Sequence, residues 1–400
     1  MRKKTVPVNL LKFGMYVHEL DRPWTDTPFM FQGFVLRNME QLEALKKYCK
    51  FVYVDFDRSE LTKDAEKAAL AQPAQSANRL PPEPKVSVEH ELVSAGKAYS
   101  SSKLVLEDTF AAVRAGKLLE PEKMKEAVAE ITASVMRNPD ALQLFSRLEE
   151  KGEYTLGHAL DVSVYMSTFG RFLEMDHDEI VTLGYLGLLQ DIGKLKVPNN
   201  LIEKRDRLNT EEFEEAKKHV QYSVELLEST PNLPPELPRL AALHHERYDG
   251  SGYPKGLKGE EIGLYGSIAA IVDTFGALTL QRPYAEDISP SSALGLLYKQ
   301  RGTHFHPGLV EQFIQCVGVF PVGCVVELNT GEVGIVIAQN PLRRLKPRVM
   351  VALDAKGYPM RPHLILDLNK EPMSALKEPY QIRRALEHSK LELDPRELTL

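Results

Sequence analysis

The stretch His244–Gly259, HHERYDGSGYPKGLKG, sets two adjacent histidines directly before a loop that holds Gly250, Gly252, Gly256 and Gly259. The three- and four-residue apolar spacing leading into it places the pair at the end of a helical run, where neighbouring residues differ by about 100° in direction. His244 and His245 therefore do not stack in line, yet both can reach an ion lying between their directions. The glycines permit positive φ and let backbone N–H groups come close to an anion, and Lys255 and Lys258 add charge. A second Gly-Tyr-Pro, Gly357–Pro359, follows no histidine pair and sits in alternating sequence, so the tripeptide alone carries nothing.

Four residues on either side belong with the pair: His158, Asp191, His219 and Asp273. Imidazole nitrogen with carboxylate oxygen suits Fe, Mn, Ni or Zn, and a carboxylate can bridge two ions a few ångströms apart. Ligands this far apart in sequence need a fold to bring them together. The remaining histidines, His18, His90, His177, His304, His306, His363 and His388, lack such context and read as solvated or hydrogen-bonded side chains.

The frame for that fold is multidomain and mainly α, with a small N-terminal α+β domain and a short β-rich C-terminal appendage. A chain of 400 residues is longer than one core usually organises. Residues 1–70 mix short β-rich runs with a helical stretch near Met39–Cys49. The Pro-, Gln- and Ser-rich AQPAQSANRLPPEPK, Ala71–Lys85, cannot support a core, and a linker is expected over 71–88. Amphipathic helical periodicity then runs from 89 through a lead-in ending near 145 and a large helical domain over 146–317. From 318 to 400 alternation and turns at Asn and Gly predict strands. The helices around Glu91–Glu150 read equally as cover for their own domain or as a homodimer face.

The net charge of -6 and pI near 6.1 give no reason to expect DNA or RNA binding. Cys49, Cys316 and Cys324 are too few and too scattered for a disulfide framework or a zinc site, which fits the reducing cytoplasm. The basic N-terminus is not followed by a sustained apolar core, so no signal peptide is expected. The most apolar run, Ser267–Leu280, is interrupted by Asp273 and falls short of the ~20 residues of a membrane helix, so no membrane span is expected.

Five segments in order, YTLGH ending at His158, DIGK at Asp191–Lys194, AKKHV around His219, HHERYDGSGYP, and IVDTFGALTLQRPYA from Ile271, resemble the HD-GYP domain. This is the subgroup of HD metallohydrolases that hydrolyse the bacterial messenger cyclic di-GMP to the linear dinucleotide pGpG, with GMP as a further product. LLKFGMYVHELDRPW, Leu10–Trp24, resembles an accessory domain often placed before such domains. The resemblance implies a binuclear divalent site, with Fe or Mn the expected ions. His158, Asp191 and Asp273 would hold one ion, and Asp191 would bridge to a second held by His219, His244 and His245. It further implies a phosphate contact from Lys194 and one from Arg282, substrate contacts from Gly252 and Tyr253, and diguanylate cyclase domains as partners of the Gly-Tyr-Pro loop.

Three positions depart from the family pattern. Gln190 stands where the family has the His of its His-Asp pair, and a neutral amide oxygen in place of an imidazole nitrogen lowers affinity for a borderline transition ion. Tyr154 occupies a position where some members carry a Glu for a third ion, and Glu153 lies about 100° away. Gly276 replaces an Asp found in many members and removes one partner for the ligands. Two functions compete at Gln190: a phosphodiesterase that tolerates the exchange, and a degenerate module that binds cyclic di-GMP or a cyclase partner.

Overall fold

The computed structural model describes residues 3–22, 27, 29, 33–55, 58–59, 82–149, 153–202, 204, 206–280, 288–340 and 343–386. The N-terminal unit is an antiparallel sheet in the order β1-β4-β2-β3, from β1 (Lys3–Pro7), β2 (Tyr16–Leu20), β3 (Phe34–Val35) and β4 (Phe51–Asp55), with helix α1 (Met39–Tyr48) between β3 and β4. Lys3 pairs with Asp55 and Pro7 with Phe51, a register that turns Val52 and Val54 inward. With Val17, Leu36 and Leu45 they form a core of the unit's own. Asn38 starts α1 by accepting from Gln41 N–H, so the helix begins where its first free donors find a side-chain oxygen.

Much of the expected linker lies outside the described residues, and its last part, 82–87, has no regular structure. Ser87 caps α2 (Val88–Arg114), which is followed by α3 (Pro121–Arg137) and α4 (Pro139–Leu148). These wrap α5 (Tyr154–Phe172), whose residues from Thr155 to Phe172 are all buried. A helix that is apolar or small all round has to lie in the centre of its domain. Against it runs α6 (His177–Leu189), started by a reciprocal capping box between Asp176 and Glu179. The approach is close: a Cβ on Gly187 would come within 2.4 Å of Ser163 Cα, and Ser163 Oγ donates to the Gly184 carbonyl at 2.9 Å.

Besides a four-residue helical turn at Asn199–Ile202, the rest of the helical domain includes α7 (Thr210–Glu228), the five-residue α8 (Leu237–Ala241), α9 (Gly263–Thr279), α10 (Pro290–Lys299) and α11 (Pro307–Val317). The stretch Gly259–Thr279 has the length and apolarity of a membrane span, but two thirds of it is buried inside the helical domain. Its apolarity goes into the core, where Ile268, Ile271, Val272 and Phe275 lie.

Five antiparallel strands follow in the order β8-β7-β6-β5-β9, from β5 (Val325–Leu328), β6 (Val333–Ala338), β7 (Arg348–Leu353), β8 (Pro359–Asp367) and β9 (Ile382–Ala385). Alternation divides the sheet: Ile335, Ile337 and Met350 join the helical core, whereas Val326, Val336, Val349 and Val351 form a core on the other side. The appendage packs on the helices. Gln339 N–H donates to Asp140 Oδ2 at 2.9 Å, Arg344 donates to the Gln315 carbonyl at 2.7 Å, and Arg348 pairs with Glu89.

Candidate metal centre

Five elements deliver the residues singled out in the sequence. The buried helix α5 contributes His158, α7 contributes His219, and α9 contributes Asp273. The chain leaves α6 at Gln190 and tightens at Asp191 into a single 3-10 turn, Ile192–Lys196, where Lys194 N–H returns to the Asp191 carbonyl at 2.9 Å. That turn lies hard against α7. Gly193 N–H donates to Ser223 Oγ at 2.8 Å, and a Cβ on Gly193 would stand 2.1 Å from the His219 carbonyl oxygen. His244 and His245 sit in the turn after α8, beyond the helix in which the sequence placed them, with ring centres 4.0 Å apart.

The side chains converge in two groups that share Asp191. One comprises Asp191, His219, His244 and His245, and the other His158, Asp191 and Asp273, each with its ligand atoms within 4.8 Å of one another. Tautomers decide what the groups can bind. His219 Nδ1 lies 2.6 Å from the Ala216 carbonyl and His244 Nδ1 2.7 Å from the Ala241 carbonyl. A carbonyl only accepts, so both Nδ1 atoms carry the proton and each neutral ring presents a lone pair at Nε2.

Those Nε2 atoms stand 3.3 and 3.4 Å from Asp191 Oδ1, an oxygen without a correctly directed hydrogen bond, and His245 Nε2 is 3.1 Å from His219 Nε2. Burial and the neighbouring His244 hold His245 well below the usual histidine pKa, so its ring stays neutral with a lone pair on one of its two nitrogens. The Nε2 lone pairs of His219 and His244 and the Asp191 oxygen they face are buried acceptors that repel unless a cation lies among them, and the donor set fits a divalent transition ion.

Burial opposes the charge on Asp191, but the Lys194 ammonium, with Nζ at 2.6 Å, outweighs it and keeps the carboxylate far below its ordinary pKa. At Asp273 burial is likewise outweighed, first by the hydrogen bond with His158 Nε2 at 2.9 Å. Lys194 pairs Asp191 while its side chain remains 20% exposed.

The three departures have structural correlates. Gln190 is buried, its amide nitrogen donates to Asp273 Oδ1 at 3.2 Å, and its Oε1 has no partner among the described residues. A Cβ on Gly276 would lie 3.3 Å from His158 Nδ1, itself buried and without a hydrogen-bond partner among the described residues. Tyr154 stacks on the His158 ring, while Glu153 pairs with Arg114.

The glycine-rich loop holds an anion of the chain's own. Two of its N–H groups, those of Lys255 and Leu257, meet Glu246. This wholly buried carboxylate accepts from Lys255 N–H at 2.8 Å and Leu257 N–H at 2.9 Å. Gly250, Gly256 and Gly259 have positive φ, whereas Gly252 is required by contact, since its Cβ would lie 2.3 Å from Arg247 N. That contact lays Tyr253 on His245 with ring centres 4.7 Å apart.

Glu246 did not stand out in the sequence, although an acid next to the His pair was an available signal, and Gly193 was read only as part of DIGK. Glu246→Ala should cost about 2 kcal/mol or more by stranding two donors, with a lowered Tm and earlier protease cleavage in the loop. An unchanged Tm and cleavage pattern would contradict this role. Arg282 lies outside the described residues.

Comparison with known proteins agrees with this geometry. An HD domain model matches residues 139–309, a domain of unknown function (DUF3391) matches 3–124, and a KOW domain associated with HD domain matches 325–387. A cyclic di-GMP phosphodiesterase of Pseudomonas aeruginosa is 32% identical over 370 residues, covering 92% of this chain and 89% of that protein. A 3'3'-cGAMP-specific phosphodiesterase of Vibrio cholerae is 33% identical over 43% of this chain and 33% of its own length. A cyclic di-GMP phosphodiesterase response regulator of Xanthomonas campestris is 39% identical over 36% of this chain and 38% of its own length. With a relative matched along nearly its whole length and the paired His and Asp groups gathered beside the Gly-Tyr-Pro loop, the chain belongs to the HD-GYP family of HD-domain proteins.

Proposed function

We propose that this chain is a metal-dependent phosphodiesterase that opens cyclic di-GMP to pGpG, with GMP as a further product. The observation that carries the reading is the buried convergence of imidazole lone pairs on the Asp191 carboxylate, with two of the tautomers set by backbone carbonyls. His219, His244 and His245 would hold one divalent ion, His158 and Asp273 a second, and Asp191 would bridge them. Bound there, Fe or Mn would offset charge on the phosphoryl oxygens and lower the pKa of a water.

The chain's own groups do the positioning. Lys194 balances Asp191 and meets a substrate phosphate from its exposed side, and Arg282 offers a guanidinium suited to bidentate phosphate contact. Gly252 and Tyr253 line the approach next to His245. A diguanylate cyclase domain on the loop and a homodimer through the helices of 91–150 belong to the same proposal. Co-purification with loop variants tests the first and light scattering the second; a monomer that retains no cyclase removes both.

A second reading, a receptor that binds without turnover, draws on Gln190, whose amide is bonded to Asp273 in place of an imidazole ligand. The deciding experiment strips anaerobically purified protein with a chelator, adds back Fe, Mn or Mg singly, and follows the nucleotide by chromatography. Linear product that disappears on stripping and returns with Fe or Mn is expected. Nucleotide binding without product under every metal would establish the receptor instead.

A further inference from the structure

Phe213 is 45% exposed on α7, six residues before His219, where a helix surface would ordinarily carry a polar side chain. It is nevertheless held in place. Tyr253 meets it edge to face, with ring centres 6.0 Å apart and planes at 86°, and Tyr253 in turn lies on His245. A run of rings thus leads from the metal cluster outward to an aromatic side chain open to solvent. Lys217, one helical turn on, sets its ammonium 5.3 Å from the Phe213 ring centre and 5.5 Å from that of Tyr253, tethered to Glu214 at 2.6 Å. The backbone beneath is fixed by the reciprocal capping of Asn209 and Glu212, with Phe213 N–H bonded to the Asn209 carbonyl at 2.9 Å.

We propose that Phe213, with Lys217 beside it, is the platform on which a purine base of the cyclic dinucleotide stacks when a phosphate lies at the metal cluster. This rests on the phosphodiesterase reading and adds a substrate-positioning residue outside the family motifs. In a nucleotide the base projects one sugar away from the phosphate, and the ring run leads away from the cluster in two steps. A half-exposed aromatic pinned at one edge has little conformational freedom left to lose on stacking, and the adjacent cation suits the electron-rich base and phosphodiester. Because every base has a π-face, the platform supplies affinity without choosing guanine over adenine.

The test compares wild type, Phe213→Ala and Phe213→Trp for KM and kcat on cyclic di-GMP and on cyclic GMP-AMP, with metal content and Tm of each protein. If the chain binds without turnover, the same comparison is made in dissociation constants. Phe213→Ala should raise KM roughly 5- to 100-fold for both nucleotides. Its kcat should stay within about twofold, its metal content should not change, and Trp should restore KM. An unchanged KM in Phe213→Ala overturns the platform while leaving the phosphodiesterase reading intact. A higher KM accompanied by lost metal or a lowered Tm, without rescue by Trp, makes Phe213 mere cover for Tyr253 and also overturns it. A wild type that neither binds nor hydrolyses either nucleotide removes the phosphodiesterase reading and the platform together.

Discussion

Asp191→Ala is expected to lose metal from both groups of the cluster and to reduce hydrolysis of cyclic di-GMP by more than about a thousandfold. Loss of even an outer partner of a metal ligand costs roughly 10- to 100-fold, and Asp191 is common to both groups. Its removal leaves His219 and His244 without the oxygen that faces their Nε2 atoms and leaves Lys194 without its counter-charge. The fold should survive, because the 3-10 turn is closed by the Asp191 backbone carbonyl and anchored by Gly193 on Ser223. Metal counting by mass spectrometry, circular dichroism and product chromatography check the three parts. A folded Asp191→Ala protein with full metal and turnover would contradict the assignment of the bridge.

Gly193→Ala should be nearly as damaging by a different route. A methyl group there would meet the His219 carbonyl oxygen at 2.1 Å and Ser223 N at 2.4 Å, both backbone atoms of α7 that cannot turn aside. Forced overpacking costs about 1–3 kcal/mol and sometimes more, and the relief available here is to push the 3-10 turn away from α7. That movement separates Asp191 from His219, so a lowered Tm should come with loss of metal. Ser223→Ala removes only the acceptor for Gly193 N–H and should cost about 1 kcal/mol while retaining metal. A Gly193→Ala protein as stable and as metal-rich as wild type would show that the close approach is not needed.

How much of this was legible in the sequence varies with the physical signal. Periodicity carried the helical domain, whose last helix ends at Val317, and alternation carried the appendage. The candidate ligands were legible as residue types in an order, and the fold gathers His158, Asp191, His219, His244, His245 and Asp273 into the two groups. What the sequence could not carry was the partner of each group. The Gly-rich loop read as a cradle for an external anion because nothing in HHERYDG says that Glu246 turns inward to take its N–H groups. Gly193 read as part of a motif, and its cause is a contact with a helix 30 residues away in sequence. Gln190 was legible as a departure, but its bond to Asp273 depends on α9, which no local pattern specifies.

The most direct measurement sets wild type beside Gln190→His, both purified without oxygen and metal-counted, and reads linear product from cyclic di-GMP per metal bound. Turnover by wild type is expected, with Gln190→His holding metal on the order of tenfold more tightly, since an imidazole would replace an amide oxygen that has no partner among the described residues. An inert wild type beside an active Gln190→His protein would contradict it, and would mean that this one side chain has turned a phosphodiesterase site into a receptor.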